Sequence, residues 1–169
     1  MLNELAAVLP LKQHTPRTIG RQVILVDIEN LVGGAVMTAS SAHWARTQLE
    51  AVTEISPDAH VIIGTSHIGL FPTRDVWPGK QYLIQSGPDG ADLALLEAID
   101  DLLVNRYDEV VLASGDGIFA DAVSRLTAHG LDVTVVAHHG RCAARLRMAA
   151  HRTIYMQNNH YLGTHGGAA

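Results

Sequence analysis

VILVDIEN, residues 23–30, is a run of four apolar residues that ends in Asp27, with Asn30 three positions further on. A short, uninterrupted apolar run reads as a strand buried on both faces, as in parallel sheets, and open parallel sheets build ligand sites at the carboxyl ends of their strands. VVLASGDG, residues 110–117, repeats the arrangement: its apolar run opens into a glycine-flanked turn that carries Asp116. Two strands thus deliver two acids to what the pattern predicts to be one site.

Outward from these stretches, apolar runs at 22–26, 59–64, 81–85, 109–113, 132–137 and 153–156 read as strands. Helical patterns lie between them at about 41–55, 89–104, 117–129 and 141–150. The alternation predicts an α/β fold with a doubly wound, mostly parallel sheet of five or six strands. Right-handed crossovers would then bring every carboxyl strand end to one rim. That rim would carry Asp27 and Asn30, then Thr65, Ser66 and His67, then Ser114 and Asp116, and finally His138 and His139. Residues 1–20 read as a peripheral arm, with a short helix over 2–9 stopped by Pro10 and a polar linker after it. Residues 21–157 form the domain, and the glycine-rich stretch 158–169 reads as a fraying tail.

Composition narrows the class. The 169 residues are 47% hydrophobic and 17% charged, enough for one domain with an ordinary core. A net charge of −5 argues against nucleic-acid binding by bulk electrostatics, so any RNA contact must be local. Cys142 is the single cysteine, which excludes an intrachain disulfide and reads as a small buried hydrophobe. The start MLNELAAVLPLK lacks the pattern of a signal peptide, and no stretch has the length and hydropathy of a membrane span. These features lead to the expectation of a cytoplasmic protein.

The candidate chemistry rests on carboxylates. Asp92 is followed at helical spacing by Leu95, Leu96, Ile99 and Leu103, so it heads an apolar stripe and should point inward. Asp89, on a neighbouring face at the helix start, is explained as a cap. Asp116 is equally well read as a cap or as a ligand. Three acids on one rim favour the ligand reading, because adjacent carboxylates repel unless they share a proton or a cation. Carboxylates and an amide oxygen, without a Cys cluster or a His pair at zinc spacing, suit Mg²⁺ or Mn²⁺. Hydrolysis of a phosphodiester with the help of such an ion is the chemistry that fits.

Taken in order, the strand ending in VDIEN, then GPDGADLALLEAID, then VVLASGDGIFADAVSRLTAHGLDVTVVA, then RTIYM resemble the NYN nucleases of the PIN-like superfamily over about residues 22–156. The resemblance implies a Rossmann-like α/β/α sandwich and a metal-dependent ribonuclease. It also implies Asp27, Asp92 and Asp116 as metal-binding acids, with Asn30 completing the catalytic set. One departure stands out. The family often reads Ser-Gly-Asp-x-Asp-Phe in its third motif, where this chain has Ile118 in SGDGIF. Asp121 lies nearby, but its spacing to Arg125 predicts an exposed ion pair instead.

Other residues carry weaker signals. Ser114 is expected to hydrogen-bond the site or its substrate. Arg141, Arg145, Arg147 and Arg152 form a basic cluster that either holds RNA phosphates, with Arg141 and Arg145 nearest the rim, or is a solvated helix face. His67 and His138 fall where a phosphate or leaving oxygen would lie, though neither is expected to be essential. Gly33 and Gly34 make either a loop that approaches substrate or a plain turn. Phe71 and Trp77, in the proline-broken segment 68–80, either stack on unpaired bases or cover the sheet edge or a dimer contact; the second is favoured. The expected partner is single-stranded or structured RNA, and a homodimer would assemble a composite groove. The competing function is a catalytically impaired module that binds RNA or a protein. A generic phosphatase or nucleotide-binding Rossmann protein is disfavoured, since no glycine-rich phosphate loop follows the first strand.

Overall fold

The computed structural model describes residues 20–99 and 106–157. The expected arm helix over 2–9, most of the linker, the end of the helix drawn over 89–104 and the tail from 158 lie outside the described residues. Six strands form the sheet: β1 (Gln22–Asp27), β2 (His60–Thr65), β3 (Gln81–Ile84), β4 (Glu109–Ala113), β5 (Asp132–His138) and β6 (Arg152–Met156). Every pairing is parallel and the order is β3-β2-β1-β4-β5-β6. The helices are α1 (Ile28–Val32), α2 (Ala39–Val52), α3 (His67–Val76), α4 (Gly90–Ala98), α5 (Ala120–Ala128), preceded by a 3₁₀ turn over Gly117–Phe119, and α6 (Ala144–Ala149).

The period of two along each strand feeds two cores. Val23 and Leu25 of β1, with Ile62, Val110, Leu112, Val133 and Val135, face a layer made by α4, α5 and α6. Ile24 and Val26, with Ile63, Val111 and Val136, face α1, α2 and α3. Burial of β1 on both sides explains why its apolar run shows no polar alternation. In this strand order the direction of winding reverses between β1 and β4, so their carboxyl ends diverge into a crevice at the switch point. Asp27 and the Ser114–Asp116 turn stand there.

Two local features set the depth of that crevice. Gly64 on β2 lies so close beneath α4 that a Cβ would come within 2.7 Å of Leu95 and 3.0 Å of the Ala91 carbonyl. Gly115 lies directly against the Arg141 carbonyl oxygen, where any side chain would overlap it. Both glycines are required by close approach.

Segment 68–80 departs from expectation. Rather than a broken loop it contains α3, started by Ser66, whose hydroxyl accepts the Gly69 N–H. Pro72 lies inside this helix and removes one backbone donor, yet the buried Gly69 and Thr73 anchor the helix. Local propensity is overridden by packing. Trp77 is buried in the α2–α3 core, whereas Phe71 is exposed.

Candidate functional site

Asp27 ends β1 and caps α1. Its Oδ1 accepts the Asn30 N–H at 3.1 Å, and its Oδ2 accepts the Ser114 hydroxyl at 2.9 Å. The side chain is almost fully buried. Burial raises its pKa well above the usual carboxylate range, the charge of Asp92 and a hydrogen bond with Asp92 raise it further, and the bonds from Asn30 and Ser114 oppose the rise. Asp92, half-buried in the first turn of α4, is raised too: first by burial, with the charges of Asp116, Asp89 and Glu29 adding to it. The two carboxyl groups hydrogen-bond each other, which in a buried pair favours a proton shared between them over two charges.

The turn after β4 is stitched to this pair. The Ser114 hydroxyl accepts the Asp116 N–H at 3.1 Å while donating to Asp27. Asn30 Oδ1 accepts the Gly115 N–H at 3.0 Å. Asp116 Oδ1 accepts the Ile118 N–H at 2.9 Å, so Asp116 caps the 3₁₀ turn while its charge reaches Asp92. Ile118 is half-buried and packs against the α4–α6 core.

An open polar cleft of about 170 Å³ lies over the pair, lined by Asp27, Glu29, Asn30, Asp89 and Asp92 among others. Two of these acids were not assigned to the site from sequence. Glu29 follows Asp27 by two residues, and its Oε1 accepts the Ser66 N–H at 3.0 Å, which ties α1 to the start of α3. Asp89, expected to cap α4, makes no capping hydrogen bond; it adopts a left-handed conformation (φ 55°) and faces the cleft. Only the adjacency of the GPDG turn to the inward Asp92 hinted at this, because a positive φ at aspartate is not legible from residue type alone.

The basic residues divide. The Arg141–Ala143 loop abuts the acid turn, with the Ala143 N–H donating to the Gly115 carbonyl at 2.9 Å. The Arg145 guanidinium lies over Gly117, 2.6 Å from where a Cβ would stand, and Arg141 Nη1 is 3.4 Å from the corresponding point at Gly33. Both arginines are exposed, and both lie against the glycines that flank Asp116. Arg152 is not part of this wall: it opens β6 at the opposite end of the sheet and bonds Thr134 Oγ1. Arg147 is exposed on α6.

Other expectations need correction. His138 does not face a substrate: it is buried, meets the Leu31 carbonyl at 2.7 Å through Nε2, and stacks on Trp44 with centroids 5.9 Å apart. Its place is structural, bracing the segment that presents Asn30. His67 is exposed at the start of α3, with Nδ1 2.8 Å from the Ser86 hydroxyl. Asp121 and Arg125 are both exposed, but no ion pair joins them among the described residues. Cys142 is half-buried rather than buried, and burial pushes its thiol pKa up.

An oxygen-only, carboxylate-rich donor set suits a hard divalent cation, and two acids held in contact by one proton are a place where such a charge is favoured. The fit is incomplete in one respect. Among the described residues no group of three or more His, Cys, Asp or Glu side chains stands in a metal-holding arrangement, so Asp116 does not yet close a trio with Asp27 and Asp92. No helix among the described residues is long and apolar enough to cross a membrane.

Comparison with known proteins adds three findings. A sequence model of the NYN domain matches residues 21–157. The low amplitude and bright protein LabA of Synechococcus elongatus is 47% identical over 51 residues, 30% of this chain and 27% of that protein, so the chain spans about a quarter of that relative's length. A crystal structure of a protein of unknown function from Vibrio parahaemolyticus superposes with a TM-score of 0.54 at 18% identity, covering 85% of this chain and 98% of the other; the likeness is one of fold.

Proposed function

Because this chain belongs to the NYN domain family, matched from residue 21 to 157, we propose that it is a metal-dependent endoribonuclease whose site is the switch-point crevice. Family membership supports the coarser statement, a nuclease-like and RNA-related role. The observation that carries the finer one is the Asp27–Asp92 pair, two carboxyl groups in contact at a strand end with their pKa values raised.

The chain's own residues divide the work as follows. Asp27 and Asp92, with Asp116 drawn in from its turn, would hold Mg²⁺ or Mn²⁺. A bound dication supplies Lewis-acid neutralisation of phosphate charge and lowers the pKa of a water for attack on phosphorus. Asn30 fixes the turn through Gly115, and Ser114 aligns Asp27 and Asp116 at once through a single hydroxyl. Arg141 and Arg145 receive the RNA phosphates beside the acids. Glu29 and Asp89 keep the cleft strongly anionic, so RNA enters only with cation compensation.

Ile118 and the three-acid group left open favour a second reading, an impaired module that binds RNA without turnover. The test is cleavage of a labelled RNA pool in Mn²⁺, Mg²⁺ or EDTA by wild type, Asp27→Asn and Asp116→Asn. The nuclease reading expects metal-dependent cutting that both substitutions abolish. Cutting unaffected by either would overturn the site assignment, and affinity that persists in EDTA without turnover is the result of the second reading.

A further inference from the structure

Acidic and basic residues are segregated along this chain. Every Asp and Glu lies at or before Asp132, whereas residues 133–169 carry Arg141, Arg145, Arg147 and Arg152 and no acid. In the fold this segregation falls on two sides of the switch-point crevice. On the β2–β3 side, Glu29, Asp89 and Asp92 line the cleft, and α3 and α4 add exposed Asp75 and Glu97 against exposed Arg74. On the β5–β6 side stands α6, joined directly to the acid turn. The Ala143 N–H donates to the Gly115 carbonyl at 2.9 Å, and the Arg145 guanidinium lies over Gly117, next to Asp116.

Successive residues of a helix turn by about 100°. Leu146 is fully buried, so exposed Arg145 and Arg147 emerge on opposite flanks of α6. The ridge between them is Ala144 and Met148, the latter 81% exposed. The flank of Arg145 is the one that meets Gly117, so that of Arg147 faces away from the acid turn. A line drawn out of the crevice across α6 therefore meets a cation, an exposed apolar side chain and a second cation. Of the neighbouring acids, exposed Asp121 on α5 has exposed Arg125 one turn further on, and Asp132 at the start of β5 lies 3.7 Å from His151.

We infer that RNA leaves the acid site across α6: Arg145 holds the phosphate nearest the acids, the Met148 ridge packs against the following nucleoside, and Arg147 holds the next phosphate. The inference rests on the proposed function for RNA at the acids and adds the path that the strand takes. A nucleotide chain alternates charged phosphates with less polar sugars and bases, which is the alternation that α6 presents. An acidic peptide would match the arginines, but gives no reason for their run to begin beside Asp116, where carboxylates suit phosphodiester chemistry. The field also sets direction, because the acid-rich α3–α4 side repels phosphate and the acid-free α6 segment attracts it.

The test is fluorescence anisotropy of the full chain with a labelled oligouridylate of about twelve residues. A fixed concentration of Ca²⁺ supplies the cation compensation that the cleft requires. Arg147→Ala should weaken binding roughly fivefold at low salt, with the loss shrinking as KCl rises, and Arg147→Lys should largely restore it. Met148→Ala should cost about twofold at every salt concentration, because that contact carries no charge. Arg74→Ala, on the acid-rich side, should change nothing. No loss in Arg147→Ala, an equal loss in Arg74→Ala, or no binding by wild type would overturn the path. Displacement of the probe by oligoglutamate as readily as by unlabelled oligouridylate would assign α6 to an acidic protein partner and overturn it too. The substituted side chains are exposed and alanine favours helix, so circular dichroism should show every variant folded. Cleavage in Mn²⁺ on the same preparations keeps the two readings apart. Cutting without an Arg147 effect on binding overturns the path alone, whereas an Arg147 effect without cutting supports the path and overturns only the nuclease.

Discussion

Asp27, at the end of β1, and Asp92, in the first turn of α4, stand within hydrogen-bonding reach of each other, and burial holds both carboxyl groups above their ordinary pKa. The two acids are far apart in sequence and are brought together by the crossing of α4 over β2, which Gly64 permits. Such a pair opposes folding whenever both members must ionise, and sites of this kind are commonly held at the expense of stability.

The pair predicts a pH dependence. Asp27 binds its proton more tightly in the folded chain than in the unfolded one, where its value is near 3.8. Its stabilising contribution is therefore complete below that value and is lost as pH rises through the elevated folded value. Asp27→Asn should remove this component, so relative to wild type it gains stability with rising pH. By pH 7 it should be more stable by on the order of 1 kcal/mol, roughly 2–4 °C in Tm. Calorimetry of both proteins at acidic and neutral pH checks it; a difference that does not vary with pH removes the pair as its source.

Cation binding should act through the same proton. A dication on Asp27 and Asp92 must displace it, so apparent affinity weakens as pH falls through the raised values. Mn²⁺ at about a hundred times its Kd should stabilise the native state by roughly 2.7 kcal/mol. Thermal shift with Mn²⁺ and then EDTA at two pH values measures this. The shift should be larger at the higher pH and absent in Asp27→Asn.

The arginine wall predicts a salt signature. If Arg141 and Arg145 each neutralise one RNA phosphate, replacing either with alanine should reduce the slope of log K against log salt by about 0.7 for single strands. Arg152→Ala, at the far end of the sheet, should leave the slope unchanged. Equal slopes for all three variants would return Arg141 and Arg145 to a solvated surface.

Most of the architecture is legible in sequence because burial on both faces writes an unbroken apolar run, as at Val23–Val26 and Val110–Leu112. The six strands and the doubly wound sheet follow from those runs. What sequence did not disclose depended on tertiary contact. α3 forms despite Pro72 because Gly69 and Thr73 are buried, which no local rule reports. His138 falls on the predicted rim but turns inward to the Leu31 carbonyl, because strand position fixes a residue's height and not its surroundings. Asp89 has the residue type of a cap and the backbone angle of a turn. The inward reading of Asp92 followed from the stripe it heads, since Leu95 and Ile99 are indeed buried below it.

Close packing of α4 gives a further prediction. Gly64→Ala should cost about 1–3 kcal/mol by pressing Cβ into Leu95 and the Ala91 carbonyl. It should also lower activity by lifting Asp92 away from Asp27. Leu95→Ala vacates part of that space, so the double variant should cost less than the sum of the single ones. Denaturant unfolding of the four proteins measures the coupling; strict additivity would mean that α4 shifts freely and that Gly64 does not set its height.

Ile118 decides between the two functional readings. It occupies the position where the family often carries a second acid, half-buried against the α4–α6 core and one residue from Gly117, over which Arg145 lies. Ile118→Asp removes partly buried apolar surface and should cost about 1–2 kcal/mol. It also adds a carboxylate beside Asp116, the acid that does not yet join Asp27 and Asp92. If the missing ligand limits the site, the variant should bind Mn²⁺ several-fold more tightly and cut RNA faster despite its lower Tm, a combination that loss of packing alone cannot produce. If the chain is a binding module, the substitution should lower stability with no gain in metal affinity. Isothermal titration of Mn²⁺ and single-turnover cleavage distinguish these outcomes, because a stability loss and a ligand gain move the two readouts in opposite directions.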